Sequence, residues 1–527
     1  MNSRFGRISK YKNVFSQIGS KKTHYDNVKI TNSVWDTNVI KANGMFLSII
    51  WNSFGSFAVL PISESGKCPD VMPLFTGHKG NVLDIDFDPF DDYKISSCSE
   101  DKSIAIWQIP KDYSIRSKRF KFKGIQPTAR LTGHEKKVGH VLYNPVIQDL
   151  LASSSFDQTV KIWDISTGET LHTLQHDEVV LSLSFSYDGN YLATLSRNRI
   201  LRVWDIRNGT VISQGEAHEG VKSQRVIWLG NSNRLATTGF SNLSYRQIGI
   251  WNAFNIEDGP IKKFYSIDQS SGILMPFYDN GNKILYVVGK GDGSIRYYEF
   301  QNDELFLLSE IYFIESQRGF AVSPKSHVNV KENEILKGYK TVLDKAIEPI
   351  SFYVPRWSKE FQYDIYPDCP FTKKPALTVA EWRMGKTVEG PILFSMKSLY
   401  DDSEPSLYPA RKETENKAKI LKDPTTSAAI NQVQESKDVR KESTTETEAE
   451  PSPQPTSITN LTKTSPSSKN TLLQDIKREL AEIPSLICRL DDSIAKLRDL
   501  NLSEKHQATL ITRLDRSIDQ YVSKNTR

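Results

Sequence analysis

The 527-residue chain is poor in cysteine. Its four, Cys68, Cys98, Cys369 and Cys488, show no CxxC spacing, so neither a zinc cage nor a disulfide framework is indicated, and a reducing compartment fits. No apolar run approaches the roughly 18 residues that a membrane span needs. The opening MNSRFGRISKYKNVFSQ lacks the apolar core of a signal peptide, so a soluble intracellular chain is expected. Net charge is also scarce: 68 basic against 63 acidic residues leave +5, too little over this length to imply a nucleic acid or another polyanion as partner. Nucleophile motifs, HExxH, a P-loop and a dinucleotide fingerprint are all missing, so no enzymatic reaction, metal or cofactor is expected. Acidic residues are rare within the first 30 positions, where Asp26 faces Arg4, Arg7, Lys10, Lys12, Lys21, Lys22 and Lys29. Such a run is either a solvated surface or a footprint for an acidic partner.

What the chain does have is a repeat. TGH ends at His78 and at His134, and further histidines stand at His176 and His218. Each is followed by a β-like run ending on a tryptophan: Trp107, Trp163, Trp204 and Trp251. The intervals from His to Trp are 29, 29, 28 and 33 residues, and His134, His176 and His218 are 42 apart. This period is that of four-stranded propeller blades. Two β-rich hairpins, Gly44 to Ile62 and Asn282 to Phe300, and a further run at Ile350 to Arg356 raise the count to seven. The glycines from Gly289 to Gly293 lack the Lys-Ser/Thr pair and helix of a phosphate loop, and read as a hairpin turn. An N-terminal strand is expected to complete the last blade and remove its open edge.

The repeats resemble those of WD-repeat β-propellers, an all-β fold. In that family an Asp in a strand turn accepts from the His, whose ring also meets a strand hydroxyl that reaches the Trp indole. The resemblance implies His78, Ser99, Asp101 and Trp107 in one blade, and His134, Ser155, Asp157 and Trp163 in the next. The blade with His176, Ser196 and Trp204 has Asn198 where the acid belongs, so its network is expected to be weakened. The His218 blade has Tyr245 there, and its network is expected to be absent. A closed network of this kind lets each buried polar group satisfy another.

Other segments narrow the resemblance. RFGRISKYKNVFSQ, TTGFSNLSYRQIGIW (Thr237 to Trp251), LYVVGKGDGSIRYYEF, ESQRGFAVSPK (Glu315 to Lys325) and the stretch from Glu348 to Lys397 look like coronin, in order over about Arg4 to Tyr400. Coronins bind filamentous actin. The resemblance implies that activity here, together with a cytoplasmic, cytoskeletal location at cortical actin patches and contact with the actin-related-protein branching complex and with cofilin. It also implies a role for a basic residue shortly after a Tyr-Asp pair, usually arginine. In HYDNVKITNS that position is Lys29, which keeps the charge but loses the planar fork that grips carboxylates. Arg4, Arg7, Lys10 and Lys12 are expected to add a basic flank for actin. The other reading of Lys29 is an exposed strand lysine without a partner. The other reading of the whole chain is a general propeller adaptor that does not bind actin directly.

The expected domains are a propeller over 1–347, an extension packed on one propeller face over 348–400, a disordered linker over 401–470 and helices over 471–527. The extension holds Trp357, Tyr363, Tyr366, Trp382 and Phe394, too aromatic for a floppy linker. The linker is rich in Ser, Thr, Glu and Pro, with Tyr408 its only aromatic. PSPQP and the Ser-Pro sites at Ser452 and Ser465 lie within it. In the last segment Ile487, Leu490, Ile494 and Leu497, and again Ile511, Leu514, Ile518 and Tyr521, follow coiled-coil spacing. The two sets lie 24 residues apart, three heptads plus three, so one unbroken register cannot align both. Either these helices join chains into an oligomer, as coronins resembling this one do, or they fold back as an intramolecular hairpin.

Overall fold

A computed structural model describes residues 9–34, 37–120, 124–358 and 360–411. Arg4, Arg7 and everything from 412 onward, including Ser452, Ser465 and both helical sets from Ile487 to Tyr521, lie outside the described residues.

The local reason for each blade is visible in its strands. In Val138–Tyr143, Leu150–Ser155, Thr159–Asp164 and Glu169–Gln175 the second strand is buried on both sides and the outermost is mostly exposed. A sheet packed between two neighbours needs apolar or hydroxyl-bearing residues on both faces of its middle strands. Only the rim strand can be polar, as ETLHTLQ is. Six four-stranded antiparallel sheets of this kind follow one another, starting at Ile40, Val82, Val138, Val180, Arg225 and Leu274; we number them blades 1 to 6.

Blade 7 closes the ring. Its inner strands, Phe320–Val322, Glu334–Val342 and Ala346–Tyr353, come from the end of the propeller. Its outer strands come from the start of the chain: Phe15–Ile18 pairs with Ala346–Tyr353 in the register Phe15↔Tyr353 to Ile18↔Ile350, and Tyr25 pairs with Ile347. This pairing covers the edge that Ala346–Tyr353 would otherwise leave open. Because Ala346–Tyr353 is one strand, the propeller runs to 353, past the expected boundary at 347.

The chain alternates between two faces of the ring. Turns joining the second and third strands of a blade, and loops entering each inner strand, share one side, which we call the turn face. The opposite side carries the turns after the inner strand, and the extension lies across it. Asn282 Nδ2 donates to the Ile365 carbonyl, Leu377 pairs in parallel with Ile147, Arg207 Nη2 donates to the Lys386 carbonyl at 2.7 Å, and Asn231 Nδ2 donates to the Arg411 carbonyl. Trp382 is 2% exposed among Leu150, Leu192 and Ile206, while Trp357 and Tyr363 stay exposed. A small sheet of Cys369–Pro370, Ile392–Phe394 and Leu407–Pro409 carries the extension to at least Arg411. Tyr408, expected in the linker, is thus part of a strand.

Candidate functional site: the blade networks and the turn face

In blade 3, Trp163 Nε1 donates to Ser153 Oγ at 2.8 Å, Ser153 Oγ lies 2.8 Å from His134 Nε2, and His134 Nδ1 lies 2.8 Å from Asp157 Oδ2. The indole can only donate, so the serine oxygen accepts from it and passes its own hydrogen to Nε2. The ring proton therefore sits on Nδ1 and is given to the carboxylate, and a neutral histidine satisfies every member. Asp157 also accepts from the Glu135 amide and from the Thr159 amide and hydroxyl. The glycine before the histidine has a structural reason: Gly133 has φ +148°, and a Cβ there would stand 3.3 Å from the Trp163 ring. Blade 2 repeats the chain through Trp107, Ser97, His78 and Asp101.

The serines differ from those expected. Ser97 and Ser153 hold the networks, not Ser99 and Ser155. Trp107 is registered opposite Ile95 and Trp163 opposite Leu151, and the diagonal neighbour two residues on is the one an indole reaches. Ser99 and Ser155 face the same way one step further and instead donate to loop carbonyls, of Gly80 and Lys136. The same rule makes Thr194, not Ser196, the link in blade 4, with His176 Nε2 at 3.0 Å and Trp204 Nε1 at 3.1 Å. Ser196 Oγ is buried without a partner among the described residues. Asn198 is exposed and stands outside the network; His176 Nδ1 bonds the Leu174 carbonyl instead. Blade 5 was expected to lack the network, yet Thr237 joins His218 at 2.8 Å to Trp251 at 2.7 Å. Only the acidic corner is gone from these two blades.

Ser153, His134 and Asp157 have the hydrogen-bond order of a hydrolase triad but not its access. Ser153 is wholly buried and its oxygen is occupied by the indole, so no substrate carbonyl can approach. The sets are structural pins.

Their titration follows from burial. Burial pushes His176 and His218 down to about 4. Burial would raise Asp157, but the Thr159 hydroxyl, the Glu135 amide and His134 outweigh it and hold the carboxyl at about 2. Since His176 and His218 have folded pKa values below the unfolded 6.5, the unfolded chain binds their protons first. Their contribution is whole above pH 6.5 and is lost as pH falls toward 4. Unfolding free energy is expected to drop through that window by up to about 1.4 kcal/mol per pH unit per histidine. Urea midpoints that stay level from pH 7 to 4.5 would contradict this.

A further network, missed in the sequence, joins blades 5 and 6. Asp292 occupies in blade 6 the turn position that Asp101 holds in blade 2, accepting from the Ser294 amide and hydroxyl. Its cationic partner is Arg246, from the third strand of blade 5, at 2.6 Å. Arg246 is 1% exposed and also grips both oxygens of Asp268 at 2.6 Å, and Arg296 reaches Asp268 at 2.9 Å. The visible signal was GDGS, with the Asp-x-Ser spacing of the blade 2 turn, Asp101 to Ser103.

The described N-terminal basic residues do not form one surface. Lys29 is exposed on the turn face: Asn52, in the blade 1 turn, donates to the Lys29 carbonyl at 2.7 Å, and Val28 and Ile30 donate to the carbonyls of Lys345 and Asp344 in the blade 7 turn. Lys10 lies on the opposite side, bonded to the Asp364 carbonyl of the extension, next to Tyr11, whose hydroxyl accepts from Asn282. Exposed Lys12 follows it. The intervening segment climbs the height of the ring as the outer strands of blade 7, so bases close in sequence end on opposite faces.

This architecture defines a WD-repeat propeller, the class of protein that presents rigid surfaces to partners. Three stretches, 68–108, 125–164 and 168–205, match the WD domain G-beta repeat; residues 347–390 match a further type of WD40 repeat, and residues 4–67 match a domain of unknown function (DUF1899). A coronin-like protein of Saccharomyces cerevisiae is 60% identical over 417 residues, 78% of this chain and 64% of its own length. Human coronin-2A is 39% identical over 417 residues, covering 77% of each chain. The crystal structure of the WD40 domain of Toxoplasma gondii coronin is 28% identical and superposes with a TM-score of 0.66, over 71% of this chain and 95% of that one. The chain belongs to the coronin family. It spans 64% of the length of the budding-yeast relative.

Proposed function

We propose that this chain is a scaffold that binds filamentous actin through its turn face, in the cytoplasm at the cortical actin cytoskeleton, and organises filaments there. Two supports meet on one residue. The chain is a coronin, and Lys29, which follows the Tyr25-Asp26 pair, is exposed on a segment whose backbone is bonded to the turns of blades 1 and 7. An exposed cation on an ordered backbone suits an acidic filament and gives association that weakens with salt. Contacts with the actin-related-protein branching complex and with cofilin, and assembly through Ile487, Leu490, Ile494, Leu497, Ile511, Leu514, Ile518 and Tyr521, belong to the same reading. Joining chains would turn a binder into a bundler by effective concentration.

The experiment is co-sedimentation of the full chain with actin filaments. Lys29→Glu should weaken pelleting about tenfold or more at low salt, as removal of a steering contact does, and leave the melting temperature unchanged. The double charge reversal Lys10→Glu with Lys12→Glu, on the opposite face, should leave affinity within about twofold. An unaltered affinity for Lys29→Glu removes that residue from the site.

A further inference from the structure

The turns on either side of Lys29 each expose a large apolar side chain. Phe54, in the blade 1 turn, is 69% exposed, and Leu343, in the blade 7 turn, is 62% exposed. Backbone bonds of Val28, Lys29 and Ile30 tie both turns to one short segment. The turns therefore lie about one strand spacing, roughly 5 Å, to each side of it. Leu343 and Asp344 both have left-handed backbone, at φ 49° and 56°. A turn of that shape favours Asn or Gly, and a bulky branched side chain adopts it at a cost. Blades 2 to 5 make a differently shaped turn, with one left-handed residue at its fourth position, Lys102, Gln158, Arg199 and Ser244, so the paired left-handed residues set the blade 7 turn apart. Among the described residues packing offsets little of that cost, since Leu343 is largely exposed. The charges beside it fit an acidic partner: Asp344 is held by Arg318 at 2.7 Å, while Lys29 and Lys345 stay exposed.

Building on the proposed function, we infer that Phe54 and Leu343 are apolar anchors that, with Lys29 and Lys345, form one docking patch for the acidic filament. The lysines steer the encounter and the two apolar side chains are buried on contact, which slows dissociation.

The patch and the function fail in different ways. Full-length Phe54→Ala and Leu343→Asn variants are pelleted with actin filaments across a salt series, beside the unaltered chain, Lys29→Glu and Leu243→Asn. Leu243 is likewise exposed, at 78%, but on the blade 5 turn. Each patch variant should bind about fivefold or more weakly at every salt concentration, the scale of an interface anchor. The slope of affinity against salt should be unchanged, whereas Lys29→Glu should flatten it. Leu343→Asn should melt no lower than the unaltered chain, so its loss of binding cannot come from misfolding. If the unaltered chain pellets and both patch variants bind within twofold of it, or Leu243→Asn weakens binding as much as they do, the patch is overturned. If the unaltered chain stays in the supernatant at low salt, the actin reading itself is overturned and the patch with it.

Discussion

Replacing Arg246 with methionine should lower the unfolding free energy by about 3 kcal/mol or more, the cost of stranding charges when one partner of a buried ion pair is removed. Arg246 is the hub at which the carboxylates of Asp268 and Asp292 meet, each at 2.6 Å. Without it, Asp292 keeps its bonds from Ser294 and the Ser270 hydroxyl but loses its counter-charge, and Asp268 keeps Arg296 and the Ser270 amide. Both acids retain 25% side-chain exposure, so water recovers part of the loss and the lower end of the usual range applies. Arg246→Lys preserves the charge but cannot bond Asp268 twice and Asp292 once with a single fork, and it should fall between. Urea denaturation measures both; an Arg246→Met midpoint equal to that of the unaltered chain would show that the network contributes nothing.

Removal of residues 1–26 should have the larger effect and prevent stable folding at 37 °C. The deletion takes away both outer strands of blade 7 and, with them, Tyr11, Val14 and Tyr25, each at most 5% exposed. Burial of side chains this size is worth about 1.5–3 kcal/mol each, so three of them approach the 5–15 kcal/mol that holds a whole domain together. The freed edge of Ala346–Tyr353 would also be open to pairing with other chains. Soluble, monomeric, cooperatively melting protein from this deletion would contradict the account of ring closure.

Much of this is legible in the sequence. A blade must bring a loop histidine and a strand tryptophan to the same place, so their separation is nearly constant, and that spacing exposes the repeat. The hairpins around Asn52 and Gly289 were readable for a similar reason, since a tight turn between two strands needs particular residues. Other features were hidden because they depend on register or on distant pairing. Ser97 and Ser99 point the same way on one strand, and only the pairing of Trp107 with Ile95 decides between them. Arg246 meets Asp292 46 residues away in the next blade, beyond any local pattern. The basic residues from Lys10 to Lys29 read as one cluster because composition ignores direction, yet the strands between them carry the chain from one face to the other. In the extension, aromatic content indicated order, and Phe361, Tyr366, Trp382 and Phe394 are buried while Trp357 and Tyr363 are exposed, because the segment lies on the ring as a single layer with one side to solvent.

The central claim is that the turn face, not the extension face, meets the filament. Hydroxyl-radical footprinting of the full chain, free and bound to actin filaments, reads this residue by residue. The account predicts protection at residues 28–30, 52–55 and 343–345, with Trp357 and Tyr363 on the extension as reactive as in the free chain. Protection of Trp357 and Tyr363 with Phe54 and Leu343 left reactive would contradict it.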